Sequence, residues 1–411
     1  MARSPLTLAA SVTSALPRTG VVSVAALTEQ ATGRYDSALA TLDDGRRVVA
    51  RVPVDADADR DLRAEARALQ ALTPGVRAVL PFAAPALLGD AVLDGNAVVV
   101  QTWLPGYRVD AAQVPAGPGV ATALGAAIAS VHDLPASVVR DAGLTMLDAA
   151  QVRAEAERLL DRAEATGLLP FGLLRRWSAA LAADALWRFE TTVVLGGVDT
   201  ASFLFEDDAD ESPAVTGLLH WGGLAVGDPA VDLRWLASAP DARVDVLDAY
   251  ADASAHTVDG ALGERARLHA ELEFASWLVH GHAAGTEGVV SDAVALLEAL
   301  DESVRDAPPL AQETITVDDA IAAFGRVPES AAVDTSMQTD TYDAEALSEY
   351  TAEEPAPADV ETAPIELSEW SPLHTSWTPG RTELAEHPEH AEDDDPDRAA
   401  RNALRRWTET A

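Results

Sequence analysis

The sequence predicts an α+β fold in two lobes, a small strand-rich lobe and then a mostly helical one, ahead of an acidic C-terminal tail. Three observations predict it. Strand and hairpin signals crowd into residues 20–103, Ala/Leu-rich helical patterns dominate residues 119–305, and after Pro308-Pro309 the composition turns acidic and rich in Pro, Thr, Ser and Glu. The lobes are expected at 1–104 and 105–309, and the tail at 310–411.

The elements follow in order. Ser4-Pro5 reads as a helix cap followed by the first helical residue, so residues from Pro5 onward are expected to form a helix. A secretory leader fits less well, because the apolar run is short and is broken by Ser11, Thr13 and Ser14. Ser37–Leu42 and Arg47–Val52 flank Asp43-Asp44-Gly45, a hairpin signal. Residues 58–72 place Leu62, Ala66, Leu69 and Leu72 on one helical face. Val98–Trp103 is a further strand, closed by Leu104-Pro105-Gly106.

Residues 119–133, 149–166 and 173–188 read as helices. A β-like interruption follows at Thr192–Leu195, Phe203–Phe205 and Gly217–Trp221, and helices resume at 230–238, 243–257, 263–283 and 287–305. Residues 311–411 carry about 24 acidic and 6 basic side chains, the composition of a disordered segment. Within them only Val317–Phe324 and Asp397–Trp407 have a helical pattern.

Composition narrows the function. A net charge of −38 argues against nucleic acid and anionic membranes, which need a basic footprint. With no Cys there are no disulfides and no thiolate metal sites, which leaves the compartment open on that ground. All 29 basic residues are Arg, so a mechanism that requires Lys is excluded. No run of 18 apolar residues suggests a membrane span, and the expected location is the cytoplasm. His256, His269, His280 and His282 read as surface or core histidines, and Trp177, Trp187, Trp235 and Trp277 as core of the helical lobe.

The chemistry-bearing stretch is Val193-Val-Leu-Gly-Gly-Val-Asp-Thr-Ala-Ser-Phe-Leu-Phe205, followed by Thr216-Gly-Leu-Leu-His-Trp-Gly-Gly-Leu-Ala-Val-Gly-Asp-Pro-Ala-Val-Asp-Leu233. It resembles the core of the aminoglycoside and macrolide phosphotransferases, which reads roughly V-H-G-D-x-x-x-x-N-x-L, a short hairpin, then G-x-I-D-W-x-x-A-x-x-G-D-P-x-x-D-L. Upstream, Arg47–Pro53 resembles the strand carrying the phosphate-contacting basic residue, here Arg51, with Glu65 as its ion-pair partner. Gln101–Gly106, including Trp103, resembles the hinge that borders the nucleotide, and Leu124–Pro135 the helix ending in Leu-His-x-Leu-Pro. The resemblance covers roughly residues 5–305 and implies a two-lobed, protein-kinase-like fold.

The same resemblance exposes departures. It puts the catalytic Asp at Gly197, the metal-binding Asn at Ser202 and the metal-binding Asp at His220. Gly197 cannot accept a proton, and neither Ser202 nor His220 is a good ligand for Mg²⁺, which prefers carboxylate and phosphate oxygen. The turn Ala31–Asp36 holds one Gly, few for a loop covering phosphates. Asp199 is a candidate substitute base, though a capping role for the loop fits it better. Asp228 and Asp232 are expected to hold the loop and the following helix. The expectation is a catalytically impaired pseudokinase that binds a small molecule or a protein partner. ATP binding would be weak, and Mg²⁺ is not expected. The rivals are an active ATP-dependent small-molecule kinase with an unusual site, and an interaction platform that works through the acidic tail.

Overall fold

The computed structural model describes residues 3–27, 34–93, 95–209 and 212–310. The acidic tail, with both of its helical patterns, and residues 31–33 of the Ala31–Asp36 turn lie outside them.

Helix α1 (Pro5–Ala15) starts where the sequence signals it: the Ser4 side chain accepts from the Thr7 amide and Pro5 opens the first turn. Strands β1 (Val21–Ala26), β2 (Tyr35–Leu42) and β3 (Arg47–Pro53) come next, then α2 (Ala56–Ala71), α3 (Pro74–Val79), β4 (Leu87–Leu93) and β5 (Asn96–Thr102). The strands make one antiparallel sheet in the order β1-β2-β3-β5-β4.

Period-two alternation gives this sheet two different faces. Ala38, Ala40, Leu42, Val48, Ala50, Val52, Val98 and Val100 pack with Leu8, Val12 and Ala15 of α1. The alternate residues turn the other way, where Ala97 and Val99 meet Leu62 of α2. Arg51 pairs with Val99 and Gln101 with Val49 in the β3–β5 register, so both polar residues share that second face.

The helical lobe contains α4 (Val120–His132), α5 (Ser137–Asp141), α6 (Ala149–Ala165), α7 (Phe171–Ala182), α8 (Arg243–Ala253), α9 (Leu262–Ala284) and α10 (Glu287–Val304). Between α7 and α8 lie four short strands: β6 (Thr192–Val194), β7 (Phe203–Asp207), β8 (Pro213–Leu218) and β9 (Ala225–Gly227). β6 pairs with β9, and β7 with β8. Residues 229–238, expected as an α-helix, wind as the tighter 3-10 form. Asp228 caps that segment by accepting from the Ala230 amide.

The lobe has two cores. One joins α4, α8 and the β6–β9 region around Phe203, Phe205, Trp221 and Trp235. The other gathers α6, α7, α9 and α10 around Trp177, Trp187 and Leu272, with Trp277 partly buried against it. Leu310 also belongs to this second core, 3% exposed. Composition alone assigned it to the tail; its burial places it with this core.

Candidate functional site

Strand pairing assembles the site. The Phe203–Leu218 pairing, with the Leu219 amide donating to the Ser202 carbonyl at 2.9 Å, brings Ser202 beside His220. Ser202 Oγ and His220 Nδ1 share a hydrogen bond of 2.9 Å. The two positions to which the resemblance assigns metal ligands are thus bonded to each other.

His220 stays open to solvent, yet sits among Arg51 and Glu65 of the first lobe and Arg108 and Asp199 of the second. Crowding by protein lowers its pKa first, and the Arg51 charge lowers it further, so the imidazole is neutral at pH 7. A neutral hydroxyl and a neutral imidazole do not fit the hard Mg²⁺ ion.

Gly197 adopts φ +95°, a conformation that side chains rarely tolerate. Its side-chain space is also taken. A Cβ built there would lie 2.5 Å from Cζ of Arg234, whose guanidinium pairs with Glu273 of α9. A cation therefore stands at the position to which the resemblance assigns the catalytic carboxylate. Nearby, the two loops touch backbone to backbone: a Cβ on Gly223 would come within 2.1 Å of the Leu195 carbonyl oxygen.

Asp199 is exposed and accepts from the Ala201 amide at 2.8 Å, the capping role. Asp232 is fully buried and holds the loop, accepting from the amides of Leu195 and Gly197 at 2.6 Å and of Val198 at 3.3 Å. It also accepts from His132 Nε2 at 3.1 Å. The carboxylate fixes a His132 proton on Nε2, and Nδ1 shares a hydrogen bond of 2.8 Å with the Tyr250 hydroxyl.

Asp228 accepts from Ala230, from both Arg265 Nε contacts and from His269 Nε2 at 2.9 Å. Burial alone would raise its pKa. The His269 hydrogen bond, the charges of His269 and Arg265 and the Ala230 amide outweigh that, and its carboxyl lies below the usual range. Arg265, completely buried, spends its remaining donors on Asp259 and the Leu186 carbonyl and lies over the Phe189 ring.

On the sheet side, Arg51 Nη1 donates to Glu65 Oε2 at 2.5 Å, with its guanidinium over the Tyr35 ring. Glu65 Oε1 and Gln101 Oε1 are buried without a hydrogen-bond partner among the described residues. Trp103 is half-buried under the Arg47 guanidinium, 3.5 Å from its ring centre. The expected residues thus fall in two groups: Gly197, Ser202, His220 and Asp199 on the loops between β6 and β9, and Arg51, Glu65 and Gln101 on the sheet of the first lobe and on α2. His132, Arg234 and Arg265 carry no local sequence signal. Only the Leu-His-x-Leu-Pro resemblance pointed at His132.

Solved structures with this architecture include the macrolide 2'-phosphotransferase MphH from Brachybacterium faecium. It is 24% identical, has a TM-score of 0.58, and the match covers 71% of this chain and 96% of that one. The GDP complex of aminoglycoside 2'-phosphotransferase-IIIa is 18% identical with a TM-score of 0.60, covering 73% of this chain and 99% of that one. No match was found among curated proteins. The profile of the phosphotransferase enzyme family covers residues 29–270, more than half of the sequence. The two-lobed fold is kinase-like, and the chain belongs to the phosphotransferase enzyme family.

Proposed function

We propose that this chain is a catalytically impaired phosphotransferase-family protein that acts by binding a small molecule or a protein partner. The observation that carries the reading is Gly197: it has no carboxylate, it holds φ +95°, and the Arg234 guanidinium fills the space a base would occupy. Loss of a general base alone costs about 10²–10⁴ in rate. The Ser202–His220 pair supports the same reading, because it leaves Mg²⁺ no carboxylate at either expected position. Binding remains supported by the retained Arg51–Glu65 pair, since Arg contacts phosphate well. The acidic charge disfavours nucleic acid, and no helix of the described residues is long and apolar enough to cross a membrane. A cytoplasmic protein fits these features.

The test is phosphoryl transfer from ATP or GTP, with Mg²⁺, to aminoglycosides and macrolides, the substrates named for the structural neighbours. The expected outcome is no turnover. A rate of about 1 s⁻¹ or more, as ordinary kinases reach, overturns the reading.

A further inference from the structure

Between the start of β6 and the loop joining α8 to α9, the helical lobe encloses a cavity of about 20 Å³. That is room for one occupant the size of a water molecule or a bare alkali ion. Its lining residues are rich in oxygen: the hydroxyl-bearing Thr192, Tyr250, Ser254 and Thr257 and the carboxylate-bearing Glu190 and Asp259. No residue from 197 to 220 contributes to it. Thr192 is 7% exposed, and its Oγ1 has no hydrogen-bond partner among the described residues. A buried hydroxyl left unpaired is destabilising, so an occupant that takes its lone pair is favoured. Tyr250 is also buried, and its hydroxyl shares a hydrogen bond of 2.8 Å with His132 Nδ1. Whichever of the two donates, the phenol oxygen keeps a lone pair.

We propose that this cavity binds a monovalent cation, sodium or potassium, through the hydroxyl oxygens of Thr192, Tyr250 and Ser254 beside the Glu190 carboxylate. A water would also satisfy Thr192, but the surrounding charge selects a cation. Asp259 is matched by Arg265, whose Nη1 donates to it at 2.6 Å. Glu190 has only His256, whose Nδ1 lies 3.7 Å away, beyond hydrogen-bond reach, and whose Nε2 lies 3.9 Å from Asp133. The field at the Tyr250 oxygen agrees. Burial raises its pKa first, and the charges of Asp133, Asp232, Asp228 and Asp259 raise it further, so carboxylates dominate there. A divalent ion fits less well. Among the described residues no group of three or more His, Cys, Asp or Glu side chains could hold a metal ion, whereas neutral hydroxyls beside one carboxylate suit a singly charged one. The site ties the α8–α9 loop to β6. Through Tyr250, His132 and Asp232 it also connects to the amides of Leu195 and Gly197. It is independent of whether the chain transfers phosphate.

The experiment is calorimetric melting of the full chain in mixtures of sodium, potassium and tetramethylammonium chloride at one ionic strength. Tetramethylammonium is too large for the cavity. Sodium or potassium should raise the Tm saturably, by about 3 °C or more over tetramethylammonium. The ion with the lower half-saturating concentration is the one the cavity selects, and either supports the proposal. Thr192→Val keeps the shape and removes the oxygen, so it should abolish the increment. The sign of its effect is diagnostic. In tetramethylammonium the variant should melt no lower than wild type, because an unpaired hydroxyl has gone, and in the selected ion it should melt lower. Glu190→Gln, at an exposed position, should raise the half-saturating concentration about fivefold or more, and it tests the site even if Thr192→Val fails to fold. Equal Tm in all three salts assigns a water to the cavity and overturns the proposal. An increment that persists in Thr192→Val, which places the ion elsewhere, or wild-type half-saturation in Glu190→Gln, overturns it as well.

Discussion

At position 197 any side chain meets two obstacles. One is local: φ +95° costs a non-glycine residue roughly 1–2 kcal/mol. The other is Arg234, which would meet an introduced carboxylate head-on and neutralise it. Restoring Gly197→Asp, Ser202→Asn and His220→Asp therefore leaves a base locked in an ion pair. Adding Arg234→Ala frees it and leaves Glu273, already partly exposed, without its partner. The four-fold variant should gain Mg²⁺-dependent nucleotide affinity that the three-fold variant lacks, as read by titration with ATP. Single substitutions should do little, because such groups act as a unit. Equal affinity in the three-fold variant would show that Arg234 is no obstacle. No gain in a folded four-fold variant would show that the assigned positions do not form the metal site.

The elements divide into those their own residues announce and those made by distant partners. α1 was legible because Ser4 and Pro5 supply cap and first turn locally, and the β2–β3 hairpin because Asp43-Asp44-Gly45 lies between two runs of matched period. β4 was missed: Leu87-Leu-Gly-Asp-Ala-Val-Leu93 sits at the sheet edge, no residue of it is fully buried, and its register shifts between Leu87 and Gly89. A motif singled out the 197–220 positions, while Arg265 was not singled out, because its partner Asp228 lies 37 residues away. That pair ties α9 to the segment after β9. Replacing Arg265 by Met should cost about 3–5 kcal/mol in chemical denaturation, since Asp228 would remain buried with less compensation. A loss below 1 kcal/mol would mean that His269 and Ala230 suffice. The pH dependence has a defined sign. The Asp228 pKa is lower in the folded state than the ordinary 3.8, so its contribution is complete above that value and is lost as pH falls through the folded pKa. Wild type should lose stability there, and Asp228→Asn should show a flatter acid limb. Parallel acid limbs would remove Asp228 as the cause.

Across the whole molecule, the question is where the packed chain stops. Val304 and Leu310 both enter the second core of the helical lobe, and the Pro308 carbonyl accepts from Arg176 at 2.9 Å. Arg176 in turn donates to Glu271, which also takes the Trp177 indole N–H. The stretch after α10 therefore closes a core and completes a buried polar cluster. Residues 311–411 are acidic and poor in periodic apolar positions, and the prediction from that composition is that they add little to stability. Chains ending at 310 and at 303 should then behave differently. The longer one should melt cooperatively within about 2 °C of the full chain. The shorter loses two buried aliphatic side chains, each worth roughly 1.5–3 kcal/mol, and the carbonyl partner of Arg176. At roughly 2 °C per kcal/mol for a chain of this size, its Tm should fall by about 5 °C or more. Calorimetry of the three chains side by side reads the difference. A large drop on removing only 311–411 would place stabilising contacts in the tail, and equal melting of the two truncated chains would mean that Val304 and Leu310 close nothing.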